Sequence, residues 1–388
     1  MSWRLETQSR TGAIDVSDWV RNGFRDKAPE LAEYVGPVEI RKSDLAGRGV
    51  FAAKAVEAGT PMFVTEAVSV GRAMLPDQAD QSRELAQLVM WKGFVEQVLE
   101  AVKRCGRTLR LIYALSADEV PETELFRPNS KVRAFLNEKP DVGRILEVLD
   151  VNSMTEEAIS SKKLGSDDEG CHGVGLWLLA SLVNHSCTPN ARRLHIGDHM
   201  VVFASRDVKA GEEITFAYFD VLLALKKRRA LAKAWGFQCG CERCVFEEGA
   251  CHAEEIEGVV EGGEGDAGKA VVRLEEGLKR WGTKARERGW LRASFWEAFS
   301  ECYKSEKTMR KLGRRIPAEA VVAESVAEAV GGDERVLKAA VEAVKKNGGG
   351  GGVGGFEMER VLKMGRGVYG KVMKKQAMRS FIGVPTYS

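Results

Sequence analysis

Short apolar runs typical of β-strands occur in two separate parts of the chain, and helical periodicity fills the space between them. From Val38, the segments VEIRKS, GVFAAKAV and PMFVTEAVSV are β-branched runs separated by glycine and proline. The same character returns in HMVVFASRDV and EEITFAYF. Between the two parts, SRELAQLVMWKGFVEQVLEAVKRCG places its apolar residues at helical spacings, and further helical patterns lie at about 129–137 and 141–150. The pattern therefore predicts a small β fold interrupted by a helical insert.

The C-terminal part of the chain has a different pattern, which is almost entirely helical. It begins after Cys251 with an acidic, glycine-rich segment, EEIEGVVEGGEGDAGK, whose composition is typical of a linker. A glycine-rich run at 347–355 interrupts the region near its end. Its helical patterns lie at about 270–281, 290–312, 318–330, 334–346 and 356–375. These residues predict a helical C-terminal domain, and one more amphipathic helix is expected near the N-terminus, at about 16–24.

Length, composition and charge exclude several classes of protein. A chain of 388 residues is expected to form two or three domains, and its 44% hydrophobic and 29% charged residues are typical of a globular protein. Its 58 lysines and arginines balance 56 acidic residues, so no strong field would attract nucleic acid or an acidic membrane. The longest apolar stretch, at 173–183, is too short for a membrane helix, and the N-terminus lacks the apolar core of a secretory signal. We expect a cytoplasmic or nuclear protein, or one found in both compartments, without direct membrane or nucleic-acid binding.

One polar cluster directly follows an apolar run, in LASLVNHSCTPNARRL. Asn184, His185, Ser186 and Cys187 stand between that run and a Pro-Asn turn. Polar groups in such a place are costly to bury unless each has a hydrogen-bond partner. Taken alone, the segment is a turn with a satisfied core histidine, and only the segments around it favour a functional site.

Two other segments carry candidate functional residues. In AGEEITFAYFD, the side chains of Ile214, Phe216 and Tyr218 alternate along a strand and share one face. Taken alone, Tyr218 would be a core tyrosine. In LAGRGVFAAKAV, the GRG turn at residues 47–49 precedes a strand, where glycine permits a tight turn or the close approach of a ligand.

A cluster of cysteines lies in GFQCGCERC. In a chain without a signal sequence, such clusters bind metal more often than they form disulfides. Cys239, Cys241 and Cys244 supply three thiols, and tetrahedral zinc needs a fourth ligand. Cys187 is the candidate that would join this segment to the polar cluster. On composition alone, four other residues compete for that place: Cys171, His172, Cys251 and His252.

Taken together and in this order, GRGVFA, NHSCTPN, GEEITFAY and CGCERC resemble the successive signature segments of the SET-domain protein lysine methyltransferases. The likeness is strongest to the branch with a split SET domain, which includes the SET-and-MYND proteins, and it covers about 38–65 and 152–245. It implies an α+β fold, in which a SET-domain β fold of small sheets carries a helical insert, a zinc-binding post-SET segment and a helical C-terminal domain. The expected boundaries are 1–37 for an N-terminal extension, 38–76 and 171–225 for the two SET halves, 77–170 for the insert, 226–251 for the post-SET segment and 252–388 for the C-terminal domain.

Two features depart from that branch. The insert region has Cys105 and then Cys171 with His172, and does not have the cysteine and histidine pattern of a MYND finger. Recruitment of partners through such a finger is therefore not implied. In NSMT, at residues 152–155, Met154 replaces the aromatic residue of the branch, which makes Asn152 a less specific match than Asn184.

The resemblance implies S-adenosylmethionine as the methyl donor and one structural zinc ion. Tyr218 matches the catalytic tyrosine of the family, and Phe216 matches a wall of the substrate channel. The implied zinc ligands are Cys187, Cys239, Cys241 and Cys244. The implied cofactor-binding residues are Gly47, Arg48, Gly49, Asn152, Ser181, Asn184, His185, Tyr218 and Phe237.

Simpler interpretations stand beside these assignments. Arg48 would otherwise be a surface turn residue and Phe216 a core residue. The KKRR run at 226–229 is either a nuclear signal or the solvated face of a helix, and we favour the solvated face. We expect an active monomeric enzyme whose partner is a lysine-containing protein substrate, a histone or another protein. The competing hypotheses are a catalytically silent SET scaffold for protein partners and a zinc-containing adaptor that binds no cofactor.

Overall fold

The computed structural model describes residues 14–22, 27–75, 81–116, 119–128, 130, 139–156, 171–249, 267–281, 283–347 and 355–381. The helix predicted at about 129–137 lies outside these residues, apart from residue 130. The acidic linker and most of the glycine-rich run also lie outside them, as do Cys251 and His252.

Eleven strands form three sheets in the described part of the chain. They are β1 (Tyr34–Val35), β2 (Val38–Lys42), β3 (Arg48–Ala52), β4 (Pro61–Glu66), β5 (Val70–Met74), β6 (Met154–Thr155), β7 (Cys171–Gly175), β8 (Asn184–His185), β9 (Ala191–Ile196), β10 (His199–Ala204) and β11 (Glu213–Phe216). The sheet orders are β1-β4-β10-β9, β2-β3-β11-β8 and β5-β7-β6. Every sheet pairs strands from both sides of the insert, so the two separated parts of the sequence fold as one unit.

Helices form the insert, flank the cysteine cluster and make up the C-terminal region. The first six are α1 (Ser17–Arg21), α2 (Gln81–Arg104), α3 (Gly106–Ser116), α4 (Val142–Asn152), α5 (Leu225–Ala234) and α6 (Glu242–Gly249). The C-terminal helices are α7 (Ala267–Arg280), α8 (Ala285–Ser294), α9 (Trp296–Lys304), α10 (Glu306–Leu312), α11 (Glu319–Val330), α12 (Glu334–Asn347), α13 (Gly355–Tyr369) and α14 (Lys375–Phe381). None of these described helices combines the length and the apolar character needed to cross a bilayer.

The helix predicted at 290–312 is three helices in the structure. The chain leaves helical geometry at Phe295 and again at Ser305. The Ser305 side chain then accepts a hydrogen bond from the backbone nitrogen of Thr308 at 3.2 Å, which caps the start of α10. Because serine satisfies a free N–H at a helix start, it favours a new helix at this point within a continuous apolar pattern.

Helix α2 is buried over only part of its length. Phe94 and Val98 are fully buried, whereas Leu85, Leu88 and Val89 are 61%, 62% and 61% exposed. The apolar periodicity thus identifies the helix, but the neighbouring elements decide which of its apolar residues are covered.

The sheet β1-β4-β10-β9 is buried on both faces. Along β10, Val201 and Phe203 belong to a core shared with the C-terminal helices, whereas Met200 and Val202 belong to the core of the β fold and the insert. Side chains alternate between the faces of a strand, so a continuous apolar run is what burial on both sides requires. The C-terminal helices therefore pack directly on the β fold.

A threonine of the NHSCTPN segment fixes this packing next to the polar cluster. The Thr188 hydroxyl donates to the carbonyl of Ala329 at 2.6 Å and accepts from Trp290 Nε1 at 3.1 Å. Just beyond α11, Gly331 has a φ of 75°, and a Cβ there would lie 2.4 Å from the carbonyl oxygen of Pro189. Only glycine suits so close an approach, which places the end of α11 against the NHSCTPN turn.

We expect Thr188→Val to lower the free energy of unfolding by about 1–3 kcal/mol, because it leaves the Ala329 carbonyl and the Trp290 indole without their hydroxyl partner at a buried place. Urea denaturation measures the change. Thr155→Val, the same substitution at an exposed strand residue, is the control. Equal stabilities of the two variants would show that the Thr188 hydroxyl does not stabilise the packing of the C-terminal helices on the β fold.

Candidate active site and metal centre

Parallel pairing of two short strands brings the polar cluster to the tyrosine segment. In β8 and β11, Asn184 lies opposite Thr215, and His185 lies opposite Phe216. Tyr218 follows two residues after β11, and its hydroxyl donates to the carbonyl of Val183 at 2.8 Å. The tyrosine side chain is thereby held against the residue that precedes β8.

The His185 imidazole lies between Tyr218 and the cysteine cluster. Its Nδ1 accepts a hydrogen bond from the backbone N–H of Tyr218 at 3.0 Å. In the neutral ring, the proton must then be on Nε2, which lies 3.3 Å from Cys187 Sγ and donates to it. Both ring nitrogens are therefore engaged within the protein, and the expected contact of His185 with a cofactor is left to its backbone or ring face.

Asn184 is tied to the GRG turn. Its Nδ2 donates toward the carbonyls of Ala46 at 3.1 Å and Arg48 at 2.9 Å, and toward Glu213 Oε1 at 2.7 Å. A Cβ at Gly49 would lie 2.2 Å from the same Glu213 oxygen, so glycine is what allows the carboxylate to reach the turn. The predicted residues Gly47, Arg48, Gly49 and Asn184 thus meet through backbone atoms and one carboxylate.

The Arg48 side chain points away from this group. Its guanidinium donates to the carbonyls of Ala114 at 2.5 Å and Leu115 at 2.8 Å, at the end of α3, and to that of Glu119 at 3.1 Å. A cation at a helix C-terminus satisfies carbonyls that have no partner in the helix. The side chain therefore holds the insert, and only the backbone of Arg48 lies beside Asn184.

Asn152 and Ser181 lie together. The Ser181 hydroxyl is 3.2 Å from the carbonyl oxygen of Asn152 and 3.0 Å from that of Trp177. The Asn152 amide donates to the carbonyl of Val148 in its own helix at 2.9 Å. The two residues are neighbours, but the Asn152 amide nitrogen is already bonded within α4.

Aromatic rings surround His185 and Tyr218. The His185 ring centroid is 4.2 Å from that of Phe219 and 5.6 Å from that of Phe237. The Tyr218 centroid is 5.5 Å from that of Trp235 and 6.1 Å from that of Phe237. Phe237, which the sequence singled out, therefore lies beside both rings, whereas Phe219 and Trp235 were not predicted as site residues. The adjacency of Phe219 to Tyr218 in TFAYFD was the available signal.

Burial changes the acidity of the tyrosine. Loss of solvent, with a smaller contribution from the negative charge of Glu213 and against the lowering effect of Arg193, raises the pKa of Tyr218 to about 12. The hydroxyl is therefore protonated at neutral pH, which suits its donation to Val183.

A cavity of about 420 Å³ opens beside Tyr218. Phe216, Tyr218 and Arg193 line it from the β fold, and the start of the C-terminal helix α12 lines it through Asp333 and Arg335. Phe216 is 2% exposed, as a core residue is, and it also lines the cavity; its role as a wall of a substrate channel stays a prediction.

The cysteine cluster forms one buried group. The Sγ atoms of Cys187, Cys239, Cys241 and Cys244 all lie within 4.8 Å of one another. Such a set of thiols is what tetrahedral zinc requires, so these residues fit one zinc ion. Of the competing ligands, His172 is exposed in β7, away from this cluster in the described residues. The side chain of Cys171 is not among those described.

A family model for the SET domain matches residues 47–219. The chain contains a SET domain. A protein of Gibberella zeae named "Methyltransferase" is 27% identical over 277 residues, which are 64% of this chain and 36% of that protein. "Histone-lysine N-methyltransferase SMYD3" of Homo sapiens is 44% identical over 77 residues, 20% of this chain and 18% of the relative. A SET and MYND domain-containing protein of Dictyostelium discoideum is 33% identical over 108 residues, 26% of this chain and 30% of the relative.

These relatives are matched over only part of their own lengths, from 18% to 36%. The family match confirms the predicted SET-domain fold. The helices described from residue 267 onward confirm the helical C-terminal region. The match spans the GRG turn, the NHSC segment and Tyr218. The cysteine triplet, Cys239, Cys241 and Cys244, lies beyond the matched residues.

Two buried arginines stand behind the cysteines of this SET-domain protein. Arg228 donates to Cys244 Sγ at 3.1 Å and to Glu247, and Arg243 donates to Glu247 Oε1 at 2.7 Å and to the carbonyl of Cys187 at 3.1 Å. Four thiolates around a divalent ion carry net negative charge, which buried cations offset. The interpretation of KKRR as a solvated face is therefore wrong for Arg228, which is 1% exposed, although Lys226 and Lys227 are exposed.

We expect about one zinc ion per chain, and we expect Cys241→Ser to lose most of it, because oxygen is a poorer zinc ligand than thiolate. Elemental analysis of the purified protein measures the content. Cys105→Ser, which changes an exposed cysteine outside the cluster, should keep the parent zinc content. Zinc absent from the parent, or equal in the two variants, would remove the metal from this site.

Proposed function

We propose that this protein is an S-adenosylmethionine-dependent protein-lysine N-methyltransferase. The observation that carries the proposal is the meeting of three distant segments: Asn184 bonds to the GRG turn, and Tyr218 bonds to both His185 and Val183. A protein that only binds partners has no need of this arrangement beside a cavity. The SET domain and the methyltransferase relatives support the same function.

S-adenosylmethionine, when bound, supplies a methyl group made electrophilic by its sulfonium sulfur. The target lysine must be neutral, because an ammonium nitrogen has no lone pair. Phe216 lines the cavity with an apolar ring, and the Arg193 guanidinium carbon lies 5.1 Å from the centre of that ring. Desolvation and a neighbouring positive charge both disfavour the ammonium form of an entering lysine.

Tyr218 would orient the amine. Its protonated hydroxyl donates to the Val183 carbonyl, so the lone pairs of the hydroxyl oxygen are left to accept an N–H from the lysine. That hydrogen bond would point the nitrogen lone pair in one direction. Alignment of reactants is the main work left to the protein in such a transfer.

The remaining predicted residues would hold the cofactor. Asn184 and the GRG turn are suited to its polar amino-acid end, with the neighbouring pair Asn152 and Ser181. The Phe237 ring is suited to a flat base. Cys187 and the cysteine triplet would hold the zinc ion that fixes this ring beside the NHSC segment.

We expect Tyr218→Phe to slow methylation about 100- to 1000-fold, because a hydrogen bond made in the transition state is lost, at about 2.7–4 kcal/mol. The affinity for S-adenosylmethionine and the zinc content should change little, since the ring is kept. Single-turnover kinetics with labelled cofactor measure the rate. Tyr34→Phe makes the same change in β1 and is the control.

Equal rates for Tyr218→Phe and the parent would remove the tyrosine from the mechanism. Tight cofactor binding without activity on a broad set of proteins would favour the silent scaffold instead. Mass spectrometry of lysate proteins treated with the parent, compared with Tyr218→Phe, identifies the substrate; histones are one candidate class.

The C-terminal domain would form one wall of the substrate cleft. Arg335 donates to both carboxylate oxygens of Asp220, at 2.8 and 2.7 Å, and so joins the start of α12 to the segment that carries Tyr218. Burial raises the pKa of Asp220, but the hydrogen bonds of Arg335 contribute to a net lowering, so the carboxylate is ionised at neutral pH. This pair crosses the rim of the cavity and holds its two sides together.

We expect Arg335→Ala to raise KM for the protein substrate about 2- to 5-fold, the effect of losing a partly exposed ion pair, while the affinity for S-adenosylmethionine is unchanged. Steady-state kinetics and calorimetry measure the two quantities. Arg310→Ala removes an exposed arginine of α10 that pairs within its own helix. An unchanged KM in Arg335→Ala would exclude this wall from substrate binding.

A further inference from the structure

We propose that Glu213 is a positioning residue for the cofactor: it holds the Asn184 carboxamide so that the Asn184 oxygen accepts a hydrogen bond from the amino group of the methionine part. The inference rests on the proposed function and names a role for a residue that the sequence patterns did not single out. It is built on the contacts of one carboxylate.

Glu213 connects three of the signature segments. It begins β11, and its carboxylate accepts from the Ser43 hydroxyl at 2.9 and 2.8 Å and from Asn184 Nδ2 at 2.7 Å. The Ser43 oxygen in turn accepts from the backbone nitrogen of Leu45 at 3.0 Å, at the entry to the GRG turn. The carboxylate therefore joins that turn to β8 and β11.

The surroundings of Asn184 determine which end of its amide points where. Its three polar neighbours, the carbonyls of Ala46 and Arg48 and the Glu213 carboxylate, are all acceptors, so the nitrogen must face them. The bond to Glu213 is the shortest of the three and is charge-assisted. The oxygen then lies on the other side of the amide plane, and no donor among the described residues reaches it.

The negative charge of Glu213 favours the amino end of the methionine part of the cofactor over its carboxylate end. An amide oxygen backed by a carboxylate attracts an ammonium group and repels a carboxylate. Asn184 is only half-buried, so part of the residue remains open to a ligand. The amino group of S-adenosylmethionine carries N–H donors and positive charge, which match both features.

A substitution at Gly49 would disturb the same Glu213 carboxylate in a second, independent way. A Cβ at this position would lie 2.2 Å from Glu213 Oε1 and 3.2 Å from Asn184 Nδ2. The nearer atom is the end of a flexible side chain, so Gly49→Ala should displace the carboxylate without breaking the strand. Two different substitutions can therefore disturb one interaction.

The test compares two ligands in the full-length protein. S-adenosylhomocysteine carries the amino group, and its deamino analogue, carboxypropylthioadenosine, lacks only that group. The ratio of their dissociation constants, measured by calorimetry, isolates the contribution of the amino group. The variants are Glu213→Ala, Glu213→Gln, Gly49→Ala and Asn184→Ala. Glu212→Gln is the control, because this adjacent carboxylate bonds to Asn190 and Arg206 instead.

In the parent and in Glu212→Gln, we expect the deamino analogue to bind about 10- to 100-fold more weakly, as for the loss of a hydrogen bond to a charged group. In Asn184→Ala, Glu213→Ala and Gly49→Ala, the ratio should fall to within about threefold of unity. Glu213→Gln keeps an acceptor but loses the charge, so its ratio should lie between these values.

A parent ratio that persists in Glu213→Ala, or in Glu213→Gln if the alanine variant does not fold, would overturn the inference. Equal weakening of both ligands would also overturn it, since that indicates a general loss of the pocket. If the parent bound neither ligand, the proposed function itself would be contradicted. That result is distinguishable from failure of the Glu213 inference, in which the parent binds and only the ratio is unchanged by the variants.

Discussion

The site depends on a parallel pairing of only two residues on each strand, β8 with β11. This pairing is extended by a hydrogen bond from the backbone nitrogen of Ser186 to the carbonyl of Phe216 at 3.2 Å. The His185 ring stabilises the pairing further, because it accepts a hydrogen bond from the Tyr218 backbone nitrogen and donates one to Cys187 Sγ. Because short parallel strands are weak by themselves, the buried side-chain bonds decide whether the tyrosine stays in place.

This dependence explains why a structural metal centre lies so close to the candidate catalytic residue. Cys187 is at once a member of the thiol cluster and a partner of His185, which bonds to the backbone of Tyr218. Loss of metal would leave thiols crowded beside the buried pair Arg228 and Glu247. We infer that metal, strand pairing and tyrosine position form one cooperative unit, since a structural zinc contributes directly to folding.

The insert and the C-terminal domain act on this unit from opposite sides. The insert is held to the GRG turn by the Arg48 guanidinium at the end of α3, so the turn is clamped between that helix and Asn184. The C-terminal domain is held through Thr188 and the Pro189 turn on the other side. Both contacts reach the signature segments directly, so each neighbouring domain can affect the geometry of the site in addition to the residues that it places beside the site, such as Asn152 and Arg335.

Much of this arrangement follows from the sequence. Alternating and β-branched runs predicted the strands. The ordered segments with Asn184, Tyr218 and the cysteine triplet identified the SET domain and the set of thiols. All of these features depend on local pattern and on side-chain chemistry, which a sequence shows directly. The sequence did not reveal the orientation of Arg48, the burial of Arg228 or the contacts of Glu213 with Ser43 and Asn184. A charged side chain is placed by partners far away in the chain, and a linear pattern contains no information about which distant carbonyl or carboxylate will be within 3 Å. Only the tertiary structure brings those partners together, and so it alone decided which charges face solvent, which hold domains and which reach the site.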